Sequence, residues 1–386
     1  MRIGIEARLV FRQDKNASDQ LALDLIHGLM AIDDYNEYYI FVAPGPDNTC
    51  IHDAPNFHVV ELKAWSSMVW EQIVLPREVD RYGLDLLHCT STIGLARTST
   101  PTILTIEDTD QWSRPRLKEG IFQRLRLAYQ RRSARGAVHR SWGVVTTCHN
   151  SKRLLERWDR QVAKKTRVIH KGVSSHFLYE PFQAAPPEQL PKQYILYFGG
   201  TSPRKNMRNT LKGYELYTKM TTREVLPLVV ADVSGDQLNQ TLKEMGILGL
   251  RDNIRLIGPV PKTLLPSLYR HATLLLSPML RDTTGNPIIE AMACGTVVLT
   301  SDTPCLTELA GNAGFLVNPF SAEEISHGIF KILHVKEVRQ GLLDSGRERV
   351  KQFLWPLVAR RYQSLYLEMI SDQVQLPFSS EDLIPS

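Results

Sequence analysis

The stretch Asp282-Thr-Thr-Gly-Asn-Pro-Ile-Ile-Glu-Ala-Met-Ala-Cys-Gly295 predicts a short helix whose two ends are both encoded by residue type. Pro287 suits the first helical position, because its fixed φ fits there and its missing N–H would have no helical partner. Asn286 can cap the helix from just outside, and Gly295 can adopt the left-handed conformation after the last turn. The apolar, β-prone residues 296–300 that follow predict a buried strand.

The amino-terminal end of this predicted helix has the features of an anion site. Gly285 and Asn286 leave the backbone uncrowded, and free N–H groups over Asn286–Ile288 would add to the positive end of the helix. Glu290 lies one turn further on, where its carboxylate can accept hydrogen bonds from two neighbouring hydroxyls, such as those of a ribose. A short helix between two glycines is also a common structural element, so the pattern alone leaves a purely structural role open.

Short apolar runs that alternate with helical stretches predict thirteen β-strands. They fall at residues 3–7, 38–42, 58–62, 84–88, 102–106, 143–147, 167–170, 194–198, 227–231, 254–257, 273–277, 296–300 and 314–317. Such alternation is typical of parallel sheets built from βαβ units. Because thirteen strands are too many for one ordinary open sheet, the sequence predicts an α/β protein with two Rossmann-like domains.

A proline-rich segment without periodicity, His176–Lys192, predicts the boundary between these domains. The first domain is expected at 1–180 and the second at 190–352. Residues 353–370 predict a final helix, and the polar residues 371–386 predict a loose tail.

Composition restricts the class of protein. The 386 residues carry a formal net charge of +5, which allows an acidic partner but does not call for nucleic acid. The five cysteines are scattered and contain no CxxC pair, so reduced thiols are expected rather than a zinc site or a disulfide framework. The chain opens on a predicted strand and has no apolar run of the roughly 20 residues that span a bilayer. We therefore expect a cytoplasmic protein.

The stretch around Glu290 resembles the carboxyl-terminal signature of retaining GT-B glycosyltransferases, in particular glycosyltransferase family 4. That signature is Glu-x7-Glu followed by Ala-Met-Ala-Cys-Gly, and here Asp282 holds the first position while Ala291–Gly295 match completely. The resemblance covers almost the whole chain, including Val168-Ile-His-Lys-Gly-Val173. It implies two Rossmann-like domains whose parallel sheets face each other across a cleft, the first binding the acceptor and the second binding the nucleotide sugar. The last helix is implied to cross back to the first domain.

A second stretch, Tyr197-Phe-Gly-Gly-Thr-Ser-Pro-Arg-Lys-Asn206, joins a predicted strand to a helix. Gly199 and Gly200 permit close approach of the backbone to a ligand, and Arg204 and Lys205 add positive charge. The stretch resembles the Gly-x-x-x-Pro-Arg-Lys-Asn loop of family 4, which implies that Lys205 binds the donor diphosphate, with Arg204 as a weaker candidate. Gly200 stands where many members have a further arginine. The alternative interpretation is a basic surface turn.

Together these motifs suit glycosyl transfer. Breaking the bond between sugar and phosphate builds negative charge on the leaving diphosphate, which Lys205 and the helix end at Asn286–Ile288 would stabilise. A fixed cation then takes the part that a metal plays elsewhere, so no metal or other cofactor is expected. Asp282 is expected to face the donor sugar.

Residues 107–110 carry a competing signal. Asp108-Thr-Asp110 is a literal Asp-x-Asp, the manganese–diphosphate motif of the other glycosyltransferase fold. The family instead has a His-Asp pair at this point, which implies that Asp108 lines the cleft from its strand end, with Glu107 in the histidine position. The candidate catalytic residues are therefore Lys205, Asp282, Glu107 and Asp108.

Two other segments leave alternatives open. The loop 11–21 lacks the glycines that many family members have there, and Asn16, Ser18 and Asp19 either cap the following helix or contact the acceptor. The stretch Arg114–Arg140 is the most basic in the chain and is interleaved with apolar residues. It predicts an amphipathic helix that either binds an anionic membrane surface, as a peripheral protein would, or presents a solvated face.

The function expected from these features is that of an EC 2.4 glycosyltransferase. It would move a sugar from a nucleotide-sugar donor to a glycan or lipid-linked acceptor, with retention. The alternatives are another GT-B enzyme, such as a nucleotide-sugar epimerase, and a non-catalytic protein that binds nucleotide sugars. The substitutions Glu107, Gly200 and Asp282 keep the non-catalytic alternative open.

Overall fold

The computed structural model describes residues 1–91, 98–107, 132–178, 190–200, 202–222, 224–282 and 284–374. The chain forms two compact units. Unit 1 contains residues up to Thr147, Ser151–His170 and the helix that begins at Trp355, whereas unit 2 contains Cys148–Asn150 and Lys171–Leu354. The boundary expected at 180–190 lies further along the chain than this division. The reason is that residues just after His170 already pair within unit 2, where the Val173 N–H donates to the Phe353 carbonyl at 2.8 Å.

Each of the thirteen predicted strands is present, which confirms the α/β prediction. The strands are β1 Arg2–Glu6, β2 Glu37–Val42, β3 Phe57–Glu61, β4 Leu86–Cys89, β5 Thr102–Ile106, β6 Gly143–Thr146, β7 Thr166–Val168, β8 Tyr194–Phe198, β9 Leu228–Ala231, β10 Ile254–Gly258, β11 Ala272–Ser277, β12 Val297–Ser301 and β13 Gly314–Val317.

Helices connect these strands throughout the described residues. They are α1 Ala17–Met30, α2 Ser67–Val69, α3 Leu75–Tyr82, α4 at residues 132–140, α5 His149–Trp158, α6 Arg160–Lys164, α7 Ser175–Leu178, α8 Met207–Met220, α9 Gly235–Glu244, α10 Leu265–His271, α11 Asn286–Ala293, α12 Pro304–Ala310, α13 Ala322–His334, α14 Lys336–Val350 and α15 Trp355–Val374. A π-helical turn, Trp70–Val74, joins α2 to α3. Within the described residues, none of these helices combines the length and the apolar character that crossing a membrane requires.

Unit 1 is built on a seven-stranded parallel sheet with strand order β3-β2-β1-β4-β5-β6-β7. The strand order reverses between β1 and β4. The chain first adds β2 and β3 on one side of β1 and then returns to add β4 to β7 on its other side. In open α/β sheets such a reversal opens a crevice at the carboxyl ends of the strands, where ligands bind. Strand β4 is buried along its whole length, so its sequence does not alternate between apolar and exposed polar residues.

Buried polar contacts hold the final helix, α15, in unit 1. Gln363 Nε2 donates to Asp33 Oδ2 at 2.7 Å, and the Tyr38 hydroxyl donates to the same oxygen at 2.7 Å. His88 on β4 lies between the Tyr366 hydroxyl, 2.7 Å from Nδ1, and the Thr105 hydroxyl, 2.8 Å from Nε2. Burial lowers the pKa of His88 to about 3, so the ring is neutral at physiological pH. His88 is therefore a structural residue.

Unit 2 is built on a six-stranded parallel sheet with strand order β10-β9-β8-β11-β12-β13. Here the order reverses between β8 and β11. The carboxyl end of β8 leads into the loop at 199–206, and the carboxyl end of β11 leads into the loop that precedes α11. The two stretches singled out in the sequence therefore lie at the same edge of one sheet.

Candidate active site

Hydrogen bonds join the two loops at the β8–β11 edge of unit 2. The Leu280 N–H donates to the Arg204 carbonyl at 2.9 Å. Asn206 Nδ2 donates to the carbonyls of Pro278 at 2.7 Å and Pro319 at 2.6 Å. One amide group therefore ties the lysine-containing loop to the segments that follow β11 and β13.

Asn206 is the residue that sequence reasoning missed in this loop. Its backbone is left-handed, with φ +60°, and the residue is only 6% exposed. It ends a single 3-10 turn, Pro203–Lys205, and precedes α8. The sequence shows Asn206 as the last residue of the quoted motif, but the motif does not reveal which groups its side chain contacts.

Gly199 and Gly200 follow β8 directly. A Cβ on Gly199 would overlap the Val233 side chain, so a larger residue does not fit there. Gly200 has φ +116°, a conformation that favours glycine. The nearest described atom to a Cβ on Gly200 would be the Asp232 carbonyl oxygen, at 3.9 Å. The fold explains both glycines, and the space beside Gly200 is consistent with the predicted approach of a ligand.

Lys205 lies in an environment suited to binding an anion. The Tyr197 hydroxyl donates to the Lys205 carbonyl at 2.9 Å and fixes the backbone. Partial burial lowers the pKa of the Lys205 ammonium; the negative charges of Asp282 and Asp232 oppose this shift, and Arg204 adds to it. Among the described residues, no ion pair or hydrogen bond engages Lys205 Nζ. The backbone of Lys205 is thus fixed and its side chain is partly buried, while no described residue pairs with its ammonium group.

Asp282 lies near enough to Lys205 to affect its titration. Its Oδ1 accepts hydrogen bonds from the Thr284 N–H at 2.9 Å and the Thr284 hydroxyl at 3.2 Å. These bonds fix the carboxylate within its own loop. The structure therefore brings the two predicted catalytic residues of this unit into one electrostatic cluster.

The amino-terminal end of α11 differs from the prediction in three respects. Pro287 is the second helical residue, not the first. The helix begins at Asn286 itself, so the prediction that Asn286 caps it from outside was wrong. Gly285 is the cap, with φ +58°, and glycine is needed there because a Cβ would also overlap the Leu309 side chain. The Ile288 N–H donates to the Gly285 carbonyl at 3.0 Å and is not free. Pro287 has no N–H, so the Asn286 N–H is the remaining donor of the predicted trio.

The carboxyl-terminal end of α11 agrees with the prediction. Gly295 has φ +78°, and its N–H donates to the Met292 carbonyl at 3.0 Å. The next residue, Thr296, donates its N–H back to Ala291 at 2.9 Å. The left-handed residue Gly295 thus ends the helix and turns the chain towards β12.

Glu290 has a partner that the sequence did not reveal. The Tyr269 hydroxyl on α10 donates to Glu290 Oε2 at 3.0 Å. Tyr269 is 1% exposed, and burial together with the Glu290 charge raises its pKa well above the usual value. Tyr269 therefore remains protonated and acts as a fixed donor that orients the carboxylate.

The predicted residues of unit 1 are only partly described. Glu107 directly follows β5, is 9% exposed, and its Oε2 accepts a hydrogen bond from the Ser18 hydroxyl at 2.6 Å. Its Oε1 is buried and has no partner in the described part of the chain. Asp108 lies outside the described residues, as does Asp110.

Two sequence models of glycosyltransferases match the chain in succession. The model described as Glycosyltransferase Family 4 matches residues 21–177, and the model described as Glycosyl transferases group 1 matches residues 180–349. This chain belongs to the group 1, family 4 glycosyltransferases. The family predicted from the sequence is thereby confirmed, and retention of configuration stays a prediction.

Named relatives and a solved structure agree with this assignment. The chain is 36% identical over 163 residues to the O-antigen chain mannosyltransferase B of Escherichia coli, a match that covers 42% of each protein. It is 26% identical over 247 residues to the O-antigen chain mannosyltransferase RfbU of Salmonella typhimurium, covering 63% of this chain and 64% of that one. The chain thus matches less than two thirds of the length of either mannosyltransferase.

The fold is also that of a known glycosyltransferase structure. Sucrose-phosphate synthase from Thermosynechococcus elongatus superposes with a TM-score of 0.69 at 20% identity, over 96% of this chain and 99% of that one. Together with the two parallel sheets, this confirms the predicted GT-B fold class.

The remaining predictions about this family 4 chain concern metal and membrane. The described residues contain no cluster of three or more His, Cys, Asp or Glu side chains that would hold a metal ion. Of Arg114–Arg140, only 132–140 are described, where Ala134, Ala137 and Val138 are buried and the arginines are exposed. Metal independence, binding to a membrane surface and a cytoplasmic location all stay predictions.

Sequence reasoning also missed Glu6, a buried acid at the end of β1. It is 3% exposed, and its oxygens accept hydrogen bonds from the Arg8 N–H and the Ser91 hydroxyl, both at 3.1 Å. Burial raises the pKa of Glu6 to about 7, although these hydrogen bonds and the Arg8 charge oppose the shift. An acid inside the apolar run Ile3–Ala7 was the available signal.

We expect Glu6 to make the stability of this family 4 chain fall as pH rises. Because the pKa rises from 4.5 to about 7 on folding, the folded state binds more protons than the unfolded state between these values. The stabilisation is complete below pH 4.5 and is lost as pH rises through 7, a change of about 3 kcal/mol in the free energy of unfolding. Glu6→Gln should therefore raise stability relative to the parent more at pH 8 than at pH 5. Urea unfolding at both pH values measures this, and an equal difference at both would contradict it.

Proposed function

We propose that this chain transfers a mannosyl residue from a nucleotide-sugar donor to a saccharide acceptor during polysaccharide assembly. The observation that carries the proposal is the meeting of Lys205, Asp282 and the first turn of α11 at the strand-order reversal of unit 2. The choice of mannose and of a polysaccharide is supported by the O-antigen mannosyltransferases among the relatives.

Each residue at this edge has a distinct part in the proposal. Lys205 pairs with the donor diphosphate, and the Asn286 N–H at the positive end of α11 donates to the same group. Glu290, oriented by Tyr269, accepts hydrogen bonds from the two ribose hydroxyls. Many family members have an arginine where this chain has Gly200. Without that cation, Lys205 neutralises a larger share of the negative charge on the diphosphate.

The reaction follows from this distribution of charge. The bond between the anomeric carbon and the phosphate oxygen breaks, and its electron pair leaves with the nucleoside diphosphate. An acceptor hydroxyl oxygen bonds to the anomeric carbon and passes its proton to the phosphate oxygen that leaves. Asp282, fixed by Thr284, faces the donor sugar and stabilises positive charge on its ring in the transition state. Glu107 and Asp108 are proposed to act on the acceptor side.

The test of function separates this proposal from its alternatives. Thermal unfolding with the mannose and glucose esters of GDP, UDP and ADP identifies the donor, because a ligand at 100 times its Kd adds about 2.7 kcal/mol of stability. Transfer from that donor to saccharide acceptors, with and without EDTA, is then followed. Conversion of the donor to another nucleotide sugar would indicate an epimerase. Binding without reaction on any acceptor of the panel would indicate a non-catalytic protein, and activity that requires manganese would contradict metal-independent transfer.

Asp282→Asn is expected to lower the rate of transfer at saturating donor by about tenfold to a hundredfold, since an amide lacks the charge that the transition state needs. The amide oxygen still accepts from Thr284, so the loop and the affinity for nucleotide should be retained. Turnover is measured alongside nucleotide binding by calorimetry. Normal turnover in Asp282→Asn would show that this carboxylate has no catalytic role.

A further inference from the structure

Helix α12, Pro304–Ala310, supports the start of α11 from the side. Leu309 of α12 is 1% exposed, and its Cδ1 lies 2.3 Å from the position that a Cβ on Gly285 would take. The leucine side chain therefore packs directly against the backbone of Gly285. Asn286, whose N–H is assigned to the donor diphosphate, is the next residue along the chain. The place of Leu309 thus sets the place of the backbone that meets the diphosphate.

Helix α12 needs help from outside to stay in position. It has 7 residues, and isolated helices shorter than about 12 residues are marginal in water. Thr303 stands at its amino-terminal cap, but the side chain makes no capping hydrogen bond. At the other end, the last carbonyls of a helix lack partners within it. The Gly311 N–H donates to the Thr307 carbonyl, whereas the carbonyls of Glu308 and Leu309 are satisfied by a side chain from another helix.

That side chain is Arg349, in the last turn of α14. Its Nε donates to the Leu309 carbonyl at 2.9 Å, and its Nη2 donates to the Glu308 carbonyl. Its Nη1 donates to Gln352 Oε1 at 2.7 Å, and the guanidinium lies over the buried Phe353 ring, 5.2 Å from the ring centroid. A guanidinium is planar and carries its donors in a fixed fork. Arg349 therefore holds both carbonyls of α12 in one geometry.

The same side of α14 also packs against α11. Gly346 lies three residues before Arg349, a spacing that places two residues on one face of a helix. A Cβ on Gly346 would stand 3.6 Å from Met292 Cγ, so the two helices are in van der Waals contact there. Helix α14 is thus a common support for α11 and α12, and Arg349 fixes α12 to it by hydrogen bonds.

We infer that Arg349 is a positioning residue for the donor diphosphate. By clamping the carboxyl-terminal end of α12, it holds Leu309 against Gly285 and so fixes the Asn286 N–H at the start of α11. The inference rests on the proposed function, because it concerns the group to which that function assigns the start of α11. Arg349 acts through Leu309 and not by contact with the donor.

Calorimetric binding to the full chain, with the nucleoside diphosphate of the donor found by thermal unfolding, tests the inference. Arg349→Ala should raise the Kd about tenfold, the effect of disturbing one hydrogen bond to the ligand. The matched control is Arg347→Ala, at an exposed arginine of the same helix that pairs with Asp344 at 3.4 Å. Its Kd should equal that of the parent. All variants are compared at a temperature at which circular dichroism shows them fully folded.

A double-mutant cycle with Leu309→Ala separates positioning from a general loss of stability. Without the leucine side chain, Arg349 has nothing to place against Gly285. Arg349→Ala should therefore raise the Kd about tenfold in the parent and by less than about twofold in Leu309→Ala. Equal effects in the two backgrounds would mean that Arg349 does not act through Leu309, and the inference would be wrong. Where an alanine variant does not fold, Arg349→Lys or Leu309→Val takes its place in the same cycle.

Failure of this inference and failure of the proposed function give different results. If the parent binds the nucleotide and Arg349→Ala binds it equally well, Arg349 is not a positioning residue and the proposed function stands. An equal loss of affinity in Arg347→Ala would likewise overturn the inference, since removal of any arginine from α14 would then have the same effect. If no nucleotide binds to the parent, the proposed function itself fails.

Discussion

Lys205→Ala should lower kcat for glycosyl transfer about a hundredfold to a thousandfold, the usual effect of removing a positioned group that stabilises charge in the transition state. The partial burial of Lys205 strengthens its interaction with a diphosphate, because less water screens the charge. The loss should be large in kcat as well as in kcat/KM, since negative charge on the diphosphate grows as the bond to the sugar breaks. Steady-state kinetics with the donor found by thermal unfolding measures both constants.

The matched control for this variant is Lys243→Ala. Lys243 is an exposed lysine on α9 in the same unit, so the substitution removes the same charge without touching the site. Its kinetics should equal those of the parent. Unchanged melting temperatures would show that neither variant acts by unfolding. Equal activity in Lys205→Ala and Lys243→Ala would exclude Lys205 from the donor site.

Asn206→Ala should destabilise unit 2 by about 3 to 8 kcal/mol and weaken donor binding at the same time. The substitution removes hydrogen bonds to the buried carbonyls of Pro278 and Pro319, and each loss costs about 1 to 3 kcal/mol. It also places alanine at φ +60°, which adds about 1 to 2 kcal/mol of backbone strain. Because Lys205 immediately precedes Asn206, the ammonium should lose its fixed position.

Asn206→Gly separates the two causes. Glycine adopts φ +60° without strain but forms neither side-chain hydrogen bond, so its melting temperature should lie between those of the parent and Asn206→Ala. Asn239→Ala, at an exposed position on α9, is the control for loss of an asparagine. If the glycine and alanine variants are equally stable, backbone strain makes no contribution. If both match the parent, the bridge to Pro278 and Pro319 is not what holds the loop.

The outlines of the fold follow from the sequence, as the strands show. Residues 102–106, 194–198 and 314–317 were predicted with the bounds that the structure has. Strands buried on both faces are rich in apolar residues, and the turns between them need glycine, proline and polar residues. These requirements are local, so they are visible in a single sequence. Gly295 belongs with them, because a helix that ends in a left-handed residue favours glycine in any context.

The positions of the candidate site residues were also predictable in part. Lys205, Asp282 and Glu290 were chosen from two motifs, and parallel strands that end at one edge bring those motifs together. Their partners were not predictable in this way. Tyr269 lies 21 residues before Glu290, and Asn206 reaches carbonyls 72 and 113 residues away. No periodicity or turn preference encodes such pairs.

The sequence by itself determined which segments are strands and helices, which loops carry glycine and positive charge, and to which family the chain belongs. The tertiary structure alone decided how single side chains behave. The residue at 285 must be glycine because the Leu309 side chain occupies the space of a Cβ. Glu6 titrates near neutrality because helices and neighbouring strands remove it from water. Both effects depend on which atoms of distant segments fill the surrounding space, and only the packed sheet order fixes that.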